Sequence, residues 1–255
     1  MDIKITIITV CFNAEQTLRE TIQSVLGQTF QDYEYLIIDG NSSDKTLDIV
    51  KEYKSDKIKL YSEDDRGIYN AMNKGIAKAK GEYLYFLNAG DSFFSNTILE
   101  SVNRELSNNR PSLLYGNVRL LYQNKYKSRI SDFGNLGTRA LAKVFKGSMP
   151  CHQSMFVRND VMFTRYFNES YKIRADYDLF VYLFRYKYNI KYIELTIANY
   201  PAYGISSCKT QRLRKLYIEE TKQILTNYYP VQMRFREIID QVFGLVTGRQ
   251  IWKYI

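Results

Sequence analysis

Residues that build disulfide frameworks and metal cages are scarce in this sequence. Its 255 residues include three cysteines, Cys11, Cys151 and Cys208, and a single histidine, His152. The cysteines lie far apart without paired metal-ligand spacing, which argues against a disulfide scaffold or a zinc site and suits a reducing compartment. No uninterrupted apolar stretch reaches the ~18 residues that cross a bilayer. The opening MDIKITIITVCFN has neither the charged segment nor the cleavage site of a secretion signal. There is no internal repeat, low-complexity run or clear linker. These absences set the expectation of a cytoplasmic protein, soluble or peripheral at the inner face of the plasma membrane.

What is present can build a full core, since 45% of the residues are hydrophobic. The formal charge of +9 favours a negatively charged partner, whether nucleic acid, an anionic membrane or a phosphorylated substrate. Much of the excess follows residue 109, in NKYKSR (124–129) and KTQRLRK (209–215), while the first ninety residues are nearly balanced. Nucleic acid is disfavoured, because no helix-turn-helix, RNA-recognition or zinc signature accompanies the charge. A Rossmann dehydrogenase is disfavoured because no G-x-G-x-x-G follows the first apolar run.

Apolar periodicity predicts alternating strands and helices. Ile3 to Val10 reads as a buried strand, and Leu18, Ile22, Val25 and Leu26 continue at helical spacing. Asn13 with Gln16 predicts an N-cap and capping box, and Gly27 a stop. YEYLIID (33–39), KIKLYS (57–62) and YLYFLN (83–88) predict three more strands. The second is followed by a helix capped by Ser42 or Ser43, and the third by a helix carrying Ile68, Met72 and Ile76. Further on, a helix is expected from Asn96 to Leu106, short strands near 113–118 and 154–159, and a helix from Asp176 to Tyr186. A final amphipathic helix carries Phe235, Ile238, Ile239, Val242, Phe243 and Val246. The fold class is α/β, with an open, mostly parallel sheet. Ligands in such sheets bind beyond the carboxyl ends of the strands, where Asn13, Asp39, Asp65, Asn88 and Asp91 fall.

TVCFN (9–13), IIDGNSSDKT (37–46), DRGIYNAMNKGIAKAKGEY (65–83) and FLNAGD (86–91) together resemble glycosyltransferase family 2 in wording, order and spacing. The resemblance implies the GT-A fold, a Rossmann-like mixed sheet flanked by helices, here with a C-terminal helical extension. It also implies a nucleoside diphosphate sugar as donor, Mg²⁺ or Mn²⁺ as cofactor, and transfer with inversion. On this basis residues 1–92 form the nucleotide-sugar half, 93–210 the acceptor and catalytic half, and 211–255 the extension. Carried over position by position, Val10, Phe12 and Asn13 edge the nucleoside pocket and Asp39 contacts the base or ribose. Asp65, Asn73, Lys74 and Asn88 would lie near the donor.

The family's metal motif is commonly D-x-D or D-x-D-D, and here Asn88-Ala89-Gly90-Asp91 leaves Asp91 as the metal-binding carboxylate. One carboxylate suffices when phosphate oxygens and water complete an octahedral shell. The catalytic base of the family sits in an E-D pair at a helix start, which Ala175-Asp176 resembles, with Asp178 as a fallback. His152, in PCHQSMFVR, resembles a segment near the acceptor and is a candidate acceptor or metal contact. Gly204 resembles a late glycine-serine segment that folds over the donor. Plainer roles stand beside these: turn chemistry for Asp39, an N-cap for Asp91, helix-dipole preference for Asp176, a structural hydrogen bond for His152 and a simple turn for Gly204.

The reading is therefore an inverting glycosyltransferase acting on a UDP-sugar and a saccharide acceptor hydroxyl in surface-polysaccharide assembly. The acceptor could be lipid-linked, with the aromatic C-terminal helix touching the membrane surface. The chain lacks the Q-x-x-R-W segment of processive synthases, which favours single additions. A catalytically inactive nucleotide-sugar-binding protein is the alternative, motivated by Gly40, Asn88 and Ala175 at positions that are commonly acidic in the family.

Overall fold

The apolar runs of the first ninety residues become parallel strands, three of them buried on both faces and the third run, at the sheet edge, half-buried. The computed structural model describes residues 4–122, 125–129, 139–201 and 210–237. Its first part runs β1 (Ile5–Cys11), α1 (Leu18–Leu26), β2 (Tyr33–Asp39), α2 (Thr46–Glu52), β3 (Ile58–Ser62), α3 (Ile68–Lys78) and β4 (Tyr83–Phe86). The second part adds β5 (Ser92–Phe93), α4 (Ile98–Asn109), β6 (Leu113–Tyr122), β7 (Lys125–Arg129) and α5 (Ala140–Phe145). A single 3-10 turn (His152–Ser154) then leads into β8 (Met155–Arg158), α6 (Asn159–Arg165), α7 (Ala175–Arg185), β9 (Ile190–Pro201) and α8 (Gln211–Tyr228). Residues 230–237 are helical as well. The segment around Gly204, Cys208, and the apolar stripe from Ile238 onward lie outside the described residues.

One nine-stranded sheet has the order β3-β2-β1-β4-β8-β6-β9-β5, with β7 paired to β6. The β3-β2-β1-β4 block is parallel. β8 is antiparallel to both β4 and β6, β9 runs parallel to β6, and β5 is antiparallel to β9. The sheet is thus mixed and continuous across the two halves of the chain. Strand order reverses between β1 and β4, which opens a crevice beyond their carboxyl ends, the usual ligand position in doubly wound sheets.

Alternation along each strand sorts the core into two layers. Ile5, Ile7, Tyr35, Tyr83 and Tyr85 face α1, α2 and α4, while Ile8, Val10, Leu84 and Phe86 face α3, α6 and α7. The abundant tyrosine has a structural explanation, because its hydroxyls reach partners inside the core. Tyr33 donates to the Val25 carbonyl at 3.0 Å, Tyr83 to that of Pro111 at 2.9 Å and Tyr85 to that of Gln153 at 2.7 Å. Tyr182 likewise packs against Tyr186, Tyr188 and Tyr228.

Two expected caps are corrected. Asn13 does not cap α1; it takes left-handed backbone (φ 49°), and Thr17 occupies the cap position. Asn13 instead joins two loops, donating its backbone amide to Ser42 Oγ at 2.8 Å and accepting the Ser43 amide on its Oδ1 at 2.9 Å. Neither Ser42 nor Ser43 caps α2. Asp44 receives the Thr46 amide at 2.9 Å, and Lys45 holds the cap position. Long-range bonds between the β1 and β2 loops take up Asn13 and Ser43, while Ser42 also bonds Asp39 and Asp44 serves the start of α2 locally. Asp91 is not a cap either, since it precedes β5 and α4 begins only at Ile98.

Candidate active site

Loops after β1, β2 and β3 meet at one end of the crevice. Phe12 is 64% exposed there, whereas Val10 is buried in the sheet. A Cβ on Gly40 would collide with the Asp65 carboxylate and lie 3.4 Å from the Phe12 ring, so glycine lets these three residues converge. Asp65 Oδ1 accepts the Gly67 amide at 2.8 Å, which leads the chain into α3.

Asp39 is fully buried. Its Oδ2 accepts the Ser42 amide at 2.9 Å and Ser62 Oγ at 2.7 Å, and its Oδ1 accepts Ser42 Oγ. The carboxylate therefore ties the β2 loop to the end of β3. Asn73 is similarly engaged: its amide nitrogen donates to the Phe167 carbonyl at 2.9 Å and its Oδ1 accepts the Phe167 amide at 2.8 Å. Lys74 Nζ donates to the Asp64 carbonyl at 2.5 Å. Asn73 and Lys74 thus brace the loops around the crevice with their polar atoms.

At the other end, the chain leaving β4 keeps following β1, with the Leu87 amide on the Ile8 carbonyl at 3.0 Å and the Ala89 amide on that of Val10 at 3.3 Å. Gly90 (φ 97°) then turns it, a conformation that favours glycine. Thr21 pins the turn, its Oγ1 accepting the Gly90 amide at 3.0 Å and donating to the Asp91 carbonyl at 2.8 Å. Asp91 ends only 5% exposed, with its side chain hydrogen-bonded to Gln153. Burial raises its pKa to about 7, against the opposing pull of His152, Gln153 and the backbone at Asn88.

His152 stands between two polar groups. Its Nε2 lies 3.2 Å from Asn88 Nδ2, and its Nδ1 lies 3.4 Å from Asp176 Oδ2. Burial alone would lower the histidine pKa, but the hydrogen bond and charge of Asp176 outweigh it and raise it. Burial alone would raise the Asp176 pKa, but His152, Arg174 and the Tyr177 amide hold it below the ordinary carboxylate range. Asp176 lies in the first turn of α7, where the helix dipole also favours an anion. Asp178 is elsewhere engaged, buried and paired with Arg165 at 2.8 Å. That removes it as the fallback base.

His152 and Asp176 close one end of a small cavity, about 50 Å³, whose remaining lining includes Tyr69, Met72, Phe86, Phe167 and Leu179. An ionised carboxylate beside an apolar cavity can take a proton from a hydroxyl seated there. Tyr69 and Gln153 are partners that the sequence pattern did not single out. Tyr69 directs its hydroxyl to Asp176 Oδ1 at 3.4 Å. Its place in the 65–83 motif was the available signal, as adjacency to His152 was for Gln153.

The chemistry of Asp91 suits a divalent cation. It is a hard oxygen donor whose burial leaves it short of positive charge, and the phosphates of a donor and water could complete the shell. Among the described residues, no group of three His, Cys, Asp or Glu side chains could hold an ion on its own.

Residues 6–167 match the family model for glycosyl transferase family 2. The chain belongs to that family. This family 2 glycosyltransferase is 34% identical over 124 residues to WfgD of Escherichia coli, a UDP-Glc:alpha-D-GlcNAc-diphosphoundecaprenol beta-1,3-glucosyltransferase. That match covers 48% of the chain and about half of WfgD (49%). It is 30% identical over 198 residues to a PGL/p-HBAD biosynthesis glycosyltransferase of Mycobacterium bovis, covering 75% of the chain and 74% of that protein. Among solved structures, Staphylococcus aureus TarS 1-349 in complex with UDP-GlcNAc superposes with a TM-score of 0.71 at 17% identity, covering 94% of the glycosyltransferase and 72% of TarS 1-349. The mannosyltransferase PcManGT of Pyrobaculum calidifontis, in complex with GDP-Man and Mn²⁺, gives 0.65 at 14% identity, covering 88% and 63%. These likenesses establish the GT-A fold. No helix among the described residues is long and apolar enough to cross a membrane.

Proposed function

We propose that this glycosyltransferase moves a sugar from a UDP-sugar to an acceptor hydroxyl with inversion, using Asp176 as the base. The observation that carries this reading is the Asp176 carboxylate, 3.4 Å from His152 Nδ1 and lining an apolar cavity. In the transfer, the acceptor oxygen bonds to the anomeric carbon as the bond to the diphosphate breaks, and the hydroxyl proton passes to Asp176. Residues 1–92 supply the donor side through Phe12, Asn13 and Asp65, with Asp39 bracing the loops. Residues 93–210 supply the acceptor side, and 211–255 are an extension. Asp91 would hold Mg²⁺ or Mn²⁺, and the bound ion would offset negative charge on the departing diphosphate.

WfgD acts on a diphosphoundecaprenol-linked sugar, which supports a lipid-linked acceptor and a place in surface-polysaccharide assembly. Val231 and Phe235, 63% and 64% exposed with Arg234 between them, suit contact with an anionic membrane surface.

Release of UDP from UDP-glucose and UDP-GlcNAc, with a synthetic GlcNAc-diphosphate-lipid acceptor, tests the proposal. Wild type should turn over with product of inverted configuration, and Asp176→Asn should lose at least on the order of 10²-fold in kcat while still binding donor. Equal turnover by the two proteins would sink the assignment. Donor binding by wild type without turnover on any acceptor would favour the binding-protein alternative.

A further inference from the structure

The only histidine of the chain bridges the end of β4 and the start of α7. The amide nitrogen of Asn88 faces His152 Nε2 at 3.2 Å, and an amide nitrogen can only donate. Nε2 must then present its lone pair, so a neutral ring carries its single proton on Nδ1, aimed at Asp176 Oδ2 at 3.4 Å. The other end of the Asn88 amide, Oδ1, is buried and has no hydrogen-bond partner among the described residues. Leaving a buried acceptor unmet is costly, and the amide is oriented to serve the ring all the same.

We infer that Asn88 selects the Nδ1–H tautomer of His152, and that this pair positions the Asp176 carboxylate for proton transfer. The inference rests on Asp176 being the base and deepens that assignment. Both Asn88 and His152 act through Asp176 and are positioning residues.

A carboxylate offers about four acceptor directions. Asp176 Oδ1 receives the Tyr177 amide at 2.8 Å and the Tyr69 hydroxyl at 3.4 Å, and Oδ2 receives His152 Nδ1–H. The direction left open is the second lone pair of Oδ2, and that is where the acceptor hydroxyl delivers its proton. The acceptor oxygen then bonds to the anomeric carbon, the carbon–diphosphate bond breaks with its electron pair on the diphosphate, and Asp176 becomes a neutral acid. His152 and Asn88 gain and lose no proton in the step. Asp91 and Arg174 are the other charged groups bearing on the pair, one from the loop after β4 and one from the residue before α7.

This gives Asn88 a purpose at a position where the family commonly has aspartate. A carboxylate at 88 cannot donate; it would accept Nε2–H, draw the proton from Nδ1 and turn a lone pair toward Asp176.

Because the chain has one histidine, selective nitrogen-isotope labelling of histidine in this 255-residue chain without a tag reads this ring alone. Long-range proton–nitrogen spectra recorded above the imidazole titration range should show Nδ1 protonated in wild type. Asn88→Asp should move the proton to Nε2 and lower kcat by on the order of 10²-fold, with donor KM changed less than about threefold. In a His152→Gln background, which has no tautomer to lose, Asn88→Asp should cost less than about threefold in kcat.

An Nε2–H ring in wild type overturns the inference, as does an Asn88→Asp variant as active as wild type or more so. If Asn88→Asp does not fold, the wild-type spectrum still decides the tautomer. Full transfer by Asp176→Asn would overturn the base assignment instead, and leave the tautomer result standing.

Discussion

Replacing Asp91 with asparagine should stabilise the protein at neutral and alkaline pH while removing a group needed for turnover. Asp91 ionises at 3.8 in an ordinary setting and at about 7 in the fold because it is buried. The folded form therefore binds the proton more tightly than the unfolded chain, and stability falls as pH rises from about 4 to about 7. At about 1.4 kcal/mol per tenfold change in proton affinity, that gap corresponds to about 4 kcal/mol at and above pH 7, and to about half as much near pH 5.5. Asparagine keeps the shape, can still bond Gln153 and carries no charge to desolvate. Urea unfolding of wild type and Asp91→Asn, without added metal, should show curves that coincide near pH 4 and diverge steadily up to about pH 7. Saturating Mn²⁺ should then raise wild-type stability by RT ln(1 + [L]/Kd), about 2.7 kcal/mol at a hundredfold excess over Kd, and leave the variant unmoved. A stability difference independent of pH would refute the buried-anion argument, and equal stabilisation of both proteins by Mn²⁺ would refute Asp91 as the metal ligand.

Other perturbations follow from the same contacts. Gly40→Ala should weaken UDP binding by roughly tenfold and destabilise the fold by about 1–3 kcal/mol, because the new Cβ would strike the Asp65 carboxylate; isothermal titration and urea melts would detect each effect. Tyr85→Phe strands the Gln153 carbonyl, which the hydroxyl reaches at 2.7 Å, and should cost about 1–3 kcal/mol in chemical denaturation. Asp178→Asn removes the charge from a part-buried pair with Arg165; because burial outweighs Arg165 and raises the Asp178 pKa, the variant should lose no more than about 1 kcal/mol at neutral pH and leave kcat near wild type in the folded fraction. Phe235→Glu should reduce cosedimentation with anionic liposomes and spare UDP release with a soluble acceptor; unchanged liposome binding would remove this helix from the proposed membrane contact.

Three of the first four strands were legible because apolar runs buried on both faces leave little else for ITIITVC, YEYLIID and YLYF to become, and the half-buried edge strand IKLYS showed in its apolar alternation. The meeting of the β1, β2 and β3 loops was legible too, since polar residues clustered at strand ends. Hidden from the sequence was the direction in which each polar group turns. Asp39 and Asn73 are spent on loop-to-loop bonds with partners 23 and 94 residues away, and local pattern holds no trace of such pairings. His152 and Asp176 could be nominated from motifs, but their bond through a ring nitrogen depends on β4, the 3-10 turn and α7 packing together.

β6 and β9 pair with register shifts, β5 pairs with β9, and Phe93 of β5 stacks on Tyr85 of β4 with ring centroids 5.1 Å apart. Asp91 is thereby clamped from both sides: Leu87 and Ala89 are stitched to β1, and Phe94 donates its amide to the Ile197 carbonyl at 2.9 Å. Segments held by many bonds open less readily than free loops, and this one is tied to the middle and to the rim of one sheet. Asn199, which donates to Ser92 Oγ and the Phe93 carbonyl, ties the sheet rim to the residues that follow Asp91, so a change at 199 would reach that carboxylate only through the backbone.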